Sequence, residues 1–206
     1  MVDTNSKNAK IRSSIQSKRS KLSTREIKLN SIQLTSHLTA HPLFKRSKRI
    51  AGFIANNGEQ DPASILELAQ DRGKQCFLPV LNQLYSNRLW FAPYLKRISE
   101  HDTLKPNRYG ILEPPIYPPK NIAPWSFDLV LVPLVAFDKY GGRIGMGGGY
   151  YDRTFSFTKQ QNYIESRRST FLLGIAHKFQ EVDKIAQAAW DVPIDGIATE
   201  EGIILF

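Results

Sequence analysis

The sequence predicts an α/β protein: an open, mainly parallel sheet flanked by helices, in one domain spanning 1–206. Three observations carry that reading. Strand-like and helix-like stretches alternate along the chain, as parallel sheets require, because each crossover uses a helix. The run "DLVLVPLVAF" (128–137) is apolar almost without interruption, the pattern of a strand buried on both faces. Length and composition agree: 206 residues, 41% hydrophobic and 23% charged, are enough for one sizeable core.

Taken in order, the opening "NAKIRSSIQSKRSKLS" places Ile11, Ile15 and Leu22 in one apolar stripe on an otherwise polar helix. "STRE" (23–26) has the spacing of a capping box, which starts a second helix near Thr24. Its apolar positions Ile27, Leu29, Ile32, Leu34 and Leu38 continue toward His41, and Pro42 closes it. Together the two make a basic helical segment, about 7–41, that packs on the domain. "RIAGFIA" (49–55) reads as a strand. "DPASILELAQDRG" (61–73) has Asp61 as N-cap, Pro62 at the first helical position and Gly73 past the end. "QCFLPV" (75–80) and "RLWFAPY" (88–94) are further strands. The proline-rich segment 104–126 admits neither helix nor inner strand and makes a long surface excursion, a type of loop often used for function. Helices are expected over 149 to about 160 and over 179–189, with a buried strand "TFLLGIA" (170–176) between them. "DGIATEEGIILF" ends the chain in short extended pieces.

The formal charge of +9 lies entirely at the N-terminus: residues 1–49 hold 12 Lys or Arg against Asp3 and Glu26. Such asymmetry suits a nucleic-acid arm, a helix that grips polyphosphate, or a solvated face. No aromatic residue precedes Phe44, so the basic helices lack a platform for stacking bases, which argues against nucleic acid as a partner. No apolar run approaches the roughly 20 residues of a membrane span. "MVDTNSKNAK" is followed by no apolar stretch of the secretory kind, so the cytoplasm is the expected compartment. The single cysteine, Cys76, excludes an intrachain disulfide and a multi-cysteine zinc site, and its apolar surroundings mark a buried structural thiol. His37, His41, His101 and His177 share no metal-site spacing; only His177, following a strand, is in a position to face a cleft.

The most informative stretch is "GGRIGMGGGYYDR" (141–153), with six glycines in the nine positions 141–149. It leaves the carboxyl end of the strongest strand and enters a helix, where ligands collect in open α/β sheets. Backbone amides exposed by missing side chains suit an anion, and Arg143 offers a bidentate fork. Neither familiar template fits. A P-loop needs Lys and Ser/Thr where Gly148 and Gly149 stand, and the dinucleotide fingerprint needs glycine at Tyr150. A flexible connector is the plain alternative. Asp152, directly after the turn, is placed either to hold Mg²⁺ against phosphate oxygens or to serve as an ordinary first-turn helix acid. Tyr150 and Tyr151 are adjacent helical positions, of which one can point inward.

"LVPLVAFDKYGGRIGMGGGYYDR" closely resembles the signature of the 5-formyltetrahydrofolate cyclo-ligase family, and the similarity extends over almost the whole chain through "KIRSSIQSKRSKLS", "FIANNGEQDPASIL", "YGILEPP" and "AAWDVPIDGIATEEGI". The resemblance implies an open α/β sheet of the sugar-phosphate isomerase and CoA-transferase type. It implies ATP as co-substrate, Mg²⁺, and folate as the other small-molecule partner, in an enzyme that cyclises 5-formyltetrahydrofolate to 5,10-methenyltetrahydrofolate; a monomer is the separate expectation. By position, Arg12 matches the ATP-binding arginine of the first helix; the accompanying lysine would fall at Asn8, flanked by Lys7 and Lys10, of which Lys10 is taken for its role. Arg143 and the turn Gly145, Met146, Gly147, Gly148, Gly149, Tyr150 and Tyr151 match the phosphate loop. Asp152 and Asp191 match the magnesium ligands. Phe53, Glu59 and Tyr109 match the folate-binding residues, and Tyr150 lies close to the formyl group, so that Arg143 and Tyr150 take the catalytic positions. The chain departs from the family at Asn8, where lysine is usual, at Gly148, where some members carry lysine, and at Trp190, where many have histidine. The last is read as a packing change. The same ATP site with another small acceptor is the remaining alternative.

Overall fold

The computed structural model describes residues 4–82, 87–94, 104–115, 122–160 and 170–206; His101 lies outside them. In chain order the elements are α1 (Thr4–Arg19), α2 (Thr24–Ala40), α3 (Pro42–Arg46), β1 (Arg49–Ala51), α4 (Ala63–Asp71), β2 (Gln75–Leu81), β3 (Leu89–Pro93), β4 (Lys105–Pro106) and β5 (Leu112–Glu113). Then come β6 (Leu129–Pro133), β7 (Ala136–Phe137), β8 (Arg143–Ile144), α5 (Tyr150–Phe155), β9 (Phe171–Ile175), β10 (Gly196–Thr199) and β11 (Gly202–Leu205). Seven strands form one sheet in the order β11-β10-β9-β6-β1-β2-β3. The five inner strands run parallel, and β3 and β11 close the edges antiparallel.

That order contains a switch point. From β1 the chain goes to β2 on one side, and β6 later returns to its other side. The loops leaving the carboxyl ends of β1 and β6 therefore diverge and open a crevice between them.

β6 shows why its run has no polar residue. Leu129 and Leu131 face a core with Leu34, Leu38, Ile65 and Leu66 of α2 and α4. Val130 and Val132 face the opposite core, with Phe91, Phe127 and Phe155. Each such side chain contributes about 1.5–3 kcal/mol by leaving water, so both faces select apolar residues. Helix starts follow the local chemistry. The Ser23 amide donates to Glu26 Oε2 at 2.8 Å and the Glu26 amide donates to Ser23 Oγ at 3.2 Å, completing the capping box of α2. Asp61 accepts from the Ala63 amide at 3.0 Å, but from one position further out than expected: Pro62, not Asp61, is the N-cap, and α4 begins at Ala63. Cys76 is a buried thiol, and burial pushes its pKa up to about 12.

Several expectations are corrected. α1 stops at Arg19, so Leu22 lies beyond the helix; Ile11 and Ile15 alone pack on Val135, Ala136, Ile144 and Ile185. Leu29 and Ile32 of α2 are exposed. The first strand ends at Ala51 rather than 55, because the turn through Asn57 and Gly58, both at positive φ, takes the chain out of the sheet. "DLVLVPLVAF" breaks after Pro133 into β6 and β7, and β7 pairs with β8 in a separate ribbon. The buried Gln180 side chain makes the break possible, since its Nε2 donates to the Leu134 and Val135 carbonyls at 3.0 and 2.8 Å.

Residues 179–189 are not a helix; a 3-10 turn, Lys178–Gln180, is all that forms there. The amides of this stretch bond outward instead. Val182 donates to the Phe137 carbonyl at 2.9 Å, and Ile185 donates to the buried Asp138 carboxylate at 2.8 Å. The proline-rich excursion contains the β4–β5 hairpin and a 3-10 turn, Pro124–Ser126; its residues 116–121 lie outside the described ones. Among the described residues no helix is long and apolar enough to cross a membrane.

Candidate active site

A cavity of about 1430 Å³ occupies the crevice at the carboxyl ends of β1 and β6. Its lining joins residues of α1, the loop after β1, the end of β6, the glycine turn, the β4–β5 hairpin and residues 186–191.

One wall is the turn between β8 and α5. Gly147 and Gly149 have φ of +99° and +65°, a region that disfavours side chains. A Cβ on Gly148 would lie 2.8 Å from the Tyr150 ring. The turn is collared by cations. Arg12 Nε donates to the Gly145 carbonyl at 2.9 Å, and Arg153 Nη1 donates to the Gly148 carbonyl at 2.9 Å. Arg143 Nη2 pairs with Asp152 Oδ1 at 2.6 Å, and the Val192 amide donates to the same oxygen at 3.1 Å. Asp191 lines the cavity nearby, its Oδ2 accepting from the Ala188 amide at 2.8 Å.

The facing wall holds Phe53, Glu59 and Tyr109. Phe53 is buried at 5% exposure, whereas Tyr109, on the β4–β5 hairpin, is 53% exposed. The Tyr109 and Tyr150 hydroxyls lie 3.0 Å apart with their rings edge to face, and Arg108 Nη2 donates to the Tyr150 hydroxyl. Asn107 shapes the hairpin tip, its Oδ1 accepting from the Tyr109 amide at 2.9 Å. Tyr151 turns the other way and stacks on Phe155. Burial raises the pKa of Tyr151, and raises that of Tyr150 before its neighbours act on it. Burial also raises Glu59, opposed by Arg19 and by the Asn56 amide, which donates to Glu59 Oε2 at 3.1 Å.

The structure thus gathers Arg12, Arg143, Gly145 through Tyr151, Asp152, Asp191, Phe53, Glu59 and Tyr109 around one cavity. Lys10 is not among them: it is exposed, while Asn8 and Arg12, one helical turn apart, line the cavity. Trp190 is no packing residue. The Asp191 carboxylate turns the backbone at Ala188 and leaves the indole 75% exposed at the cavity rim. His177 is fully buried and does not line the cavity. Sequence reasoning did not single out Arg19, Arg153 or Arg108. Arg153 had a usable signal, since it stands one turn after Gly149. Three buried polar atoms find no hydrogen-bond partner among the described residues: Asn8 Oδ1, Arg19 Nη1 and Arg143 Nε. All three belong to residues that line this cavity.

Comparison with known proteins decides the assignment. Residues 4–200 match the model of the 5-formyltetrahydrofolate cyclo-ligase family. The chain belongs to the 5-formyltetrahydrofolate cyclo-ligase family. Similar relatives include the 5-formyltetrahydrofolate cyclo-ligase of Escherichia coli, 34% identical over 81% of this chain and 86% of the relative. That of Haemophilus influenzae is 33% identical over 82% of this chain and 90% of its own. Among solved structures, the Aquifex aeolicus 5,10-methenyltetrahydrofolate synthetase superposes with a TM-score of 0.75 at 28% identity, covering 96% of this chain and 92% of the other. ATP-dependent formation of 5,10-methenyltetrahydrofolate from 5-formyltetrahydrofolate is the reaction of this family. Cyclo-ligases therefore need a site for a triphosphate beside a site for a flat heterocycle, and the cavity has two differently built walls.

Proposed function

We propose that this chain carries out that cyclisation in the cavity between β1 and β6, with ATP on the glycine-turn wall and 5-formyltetrahydrofolate on the facing wall. One observation carries the reading: a glycine-rich turn ringed by guanidinium groups shares a cavity with an aromatic ring and a half-buried carboxylate. The amides of Gly145–Tyr151 donate to phosphate oxygens, and Arg12 and Arg143 pair with them. Arg153 supplies a cation beside Gly148. Lys10 stays outside the contact set.

Asp152 and Asp191 fit Mg²⁺. Each lines the cavity with one carboxylate oxygen outside the hydrogen bonds described, and oxygen ligands suit this ion. No group of three or more metal-ligating side chains occurs among the described residues, in keeping with a cation that takes phosphate oxygens and water as its other ligands. When bound, the ion neutralises phosphate charge.

On the other wall, Glu59 accepts from the N–H groups of the pterin's pyrimidine edge, with Phe53 and Tyr109 beside the ring. The formyl oxygen attacks the terminal phosphorus of ATP, and the bond to the bridging oxygen breaks to release ADP. The N10 lone pair then attacks the formyl carbon; the C–O bond breaks, phosphate leaves, and N10 gives up its proton. Arg143 stabilises charge on the moving phosphoryl group, and Tyr150, held by Tyr109 and Arg108, orients the formyl group. No covalent enzyme intermediate is required.

The proposal takes the enzyme as a monomer acting on small-molecule substrates in the cytoplasm. The test is spectroscopic. Mixing protein, 5-formyltetrahydrofolate and Mg·ATP should produce the near-ultraviolet absorption of the methenyl product; folded protein that yields none, or yields it equally without ATP, overturns the proposal.

A further inference from the structure

Arg19 closes α1 with only 2% of its surface exposed, and the chemistry above gives it no task. A buried guanidinium is costly unless its charge is paired. Its Nε donates to the Asn57 carbonyl at 3.1 Å, and its Nη1 faces Glu59 Oε1 at 3.6 Å. Its own carbonyl oxygen is the atom a Cβ on Gly58 would strike at 2.9 Å, and Gly58 sits at φ +72°. Side chain and backbone of one residue therefore press on three consecutive positions, 57 to 59.

The loop is held from behind as well. His177 Nε2 bonds the Gly58 carbonyl at 3.1 Å, and its Nδ1 meets Asn30 Nδ2 at 3.1 Å. An amide nitrogen donates, so Nδ1 accepts and the proton sits on Nε2, facing the carbonyl. Seven residues earlier on the same helix, Arg12 holds Gly145 of the other wall. Seven residues are about two turns, or about 10 Å of helix. One helix thus touches both halves of the site.

We propose that Arg19 is a positioning residue for the acceptor wall, fixing the loop 56–59 and holding Glu59 as an anion in place for the heterocycle. This rests on the assignment of Glu59 to the acceptor. Burial pushes Glu59 toward its neutral acid and Arg19 toward its neutral base, and each opposes the other's drift. Around Glu59 stand Arg19, the Asn56 amide and Tyr151, which itself lies in the field of Arg143. His177 lies behind Gly58 and is held neutral by burial. With Arg19 gone, burial of Glu59 acts without its opposing cation, so the carboxyl ionises at higher pH.

Steady-state kinetics with both substrates on Arg19→Met, Arg19→Gln, Arg19→Lys and Glu59→Gln tests this. Arg19→Met should raise KM for 5-formyltetrahydrofolate about 10-fold, as when a buried charge partner is removed, with KM for ATP within about twofold of wild type. It should also move the acidic limb of kcat/KM for the acceptor to higher pH. Arg19→Lys, which keeps the charge, should restore that limb and most of the affinity. Arg19→Gln keeps a donor for Asn57 and loses only the charge; it should show the same pH shift and carries the test should the Met variant not fold. Adding Glu59→Gln to Arg19→Met or to Arg19→Gln should cause little further loss. A wild-type acceptor KM and pH limb in both neutral variants, an equal rise in both KM values, or no rescue by Lys overturns the proposal. Glu59→Gln with an unchanged acceptor KM removes the underlying assignment; a raised KM there beside unaffected Arg19 variants removes only the role given to Arg19.

Discussion

The two walls of the cavity are built by different means. The wall proposed for the nucleotide is made by subtraction: glycines at 145 and 147–149 leave amides open, and the cations around them are anchored by backbone carbonyls. The acceptor wall is made by addition. An ion pair with a buried arginine, an aromatic ring and a hairpin tip are brought from residues 19, 53, 59 and 109. Subtraction needs only neighbours in sequence, whereas addition needs the finished fold. The first wall should therefore fail locally and abruptly when changed, and the second should fail through its supports.

The largest expected effect tests the first wall. Asp152→Asn should lower kcat by about 10²–10³-fold, the scale for losing a group that stabilises transition-state charge. Circular dichroism should stay unchanged while the Mg²⁺ concentration for half activity rises; wild-type turnover in this variant removes Asp152 from the metal site. Asp191→Asn should act in the same direction and less, since Asp152 alone of the two also holds Arg143.

Next comes Gly149→Ala, which places a side chain at φ +65°. The left-handed conformation costs about 1–2 kcal/mol. KM for ATP should rise and KM for the acceptor should hold, as read by two-substrate kinetics. An equal rise in both would erase the division into walls. Gly148→Ala should instead lower kcat, because its Cβ would displace the Tyr150 ring that stands 2.8 Å away.

A smaller effect concerns the support of the second wall. Burial lowers the pKa of His177 in the fold, so the folded protein resists protonation there more than the unfolded chain does. Its contribution is complete above the unfolded value of about 6.5 and is lost as pH falls through the lower folded value. Melting temperature should therefore drop on acidification below that pH, and drop less in His177→Gln; parallel curves would show that His177 does not report on this loop. The smallest effect is a control outside both walls. Ser23→Ala removes the capping box of α2 and should cost about 1 kcal/mol of stability in a denaturant titration, with both KM values unchanged.

Much was legible before any coordinates, for reasons that are local. The capping box at Ser23 and Glu26, the two-faced apolar run through Leu129–Val132, the buried Cys76 and the glycine turn each depend on residues within a few positions of one another. Their hydrogen bonds or burial can be counted along the chain. The misreadings share the opposite cause. Residues 179–189 carry a helical pattern, yet Asp138 and Phe137, more than forty positions earlier, take the amides of Ile185 and Val182. The strand through Val135 breaks because Gln180 can satisfy its carbonyls. Trp190 looked like packing and stands in solvent.

By itself, then, the sequence determined the parallel α/β plan and the place of the glycine turn with Arg143 and Asp152 beside it, because spacing and missing side chains act over one or two turns of backbone. Only the tertiary structure decided that Asn8 and Arg12 rather than Lys10 face the cavity, and that Arg19 meets Glu59 beneath it. A buried charge is tolerated only where a partner waits, and no reading along the chain shows which distant residue that partner will be.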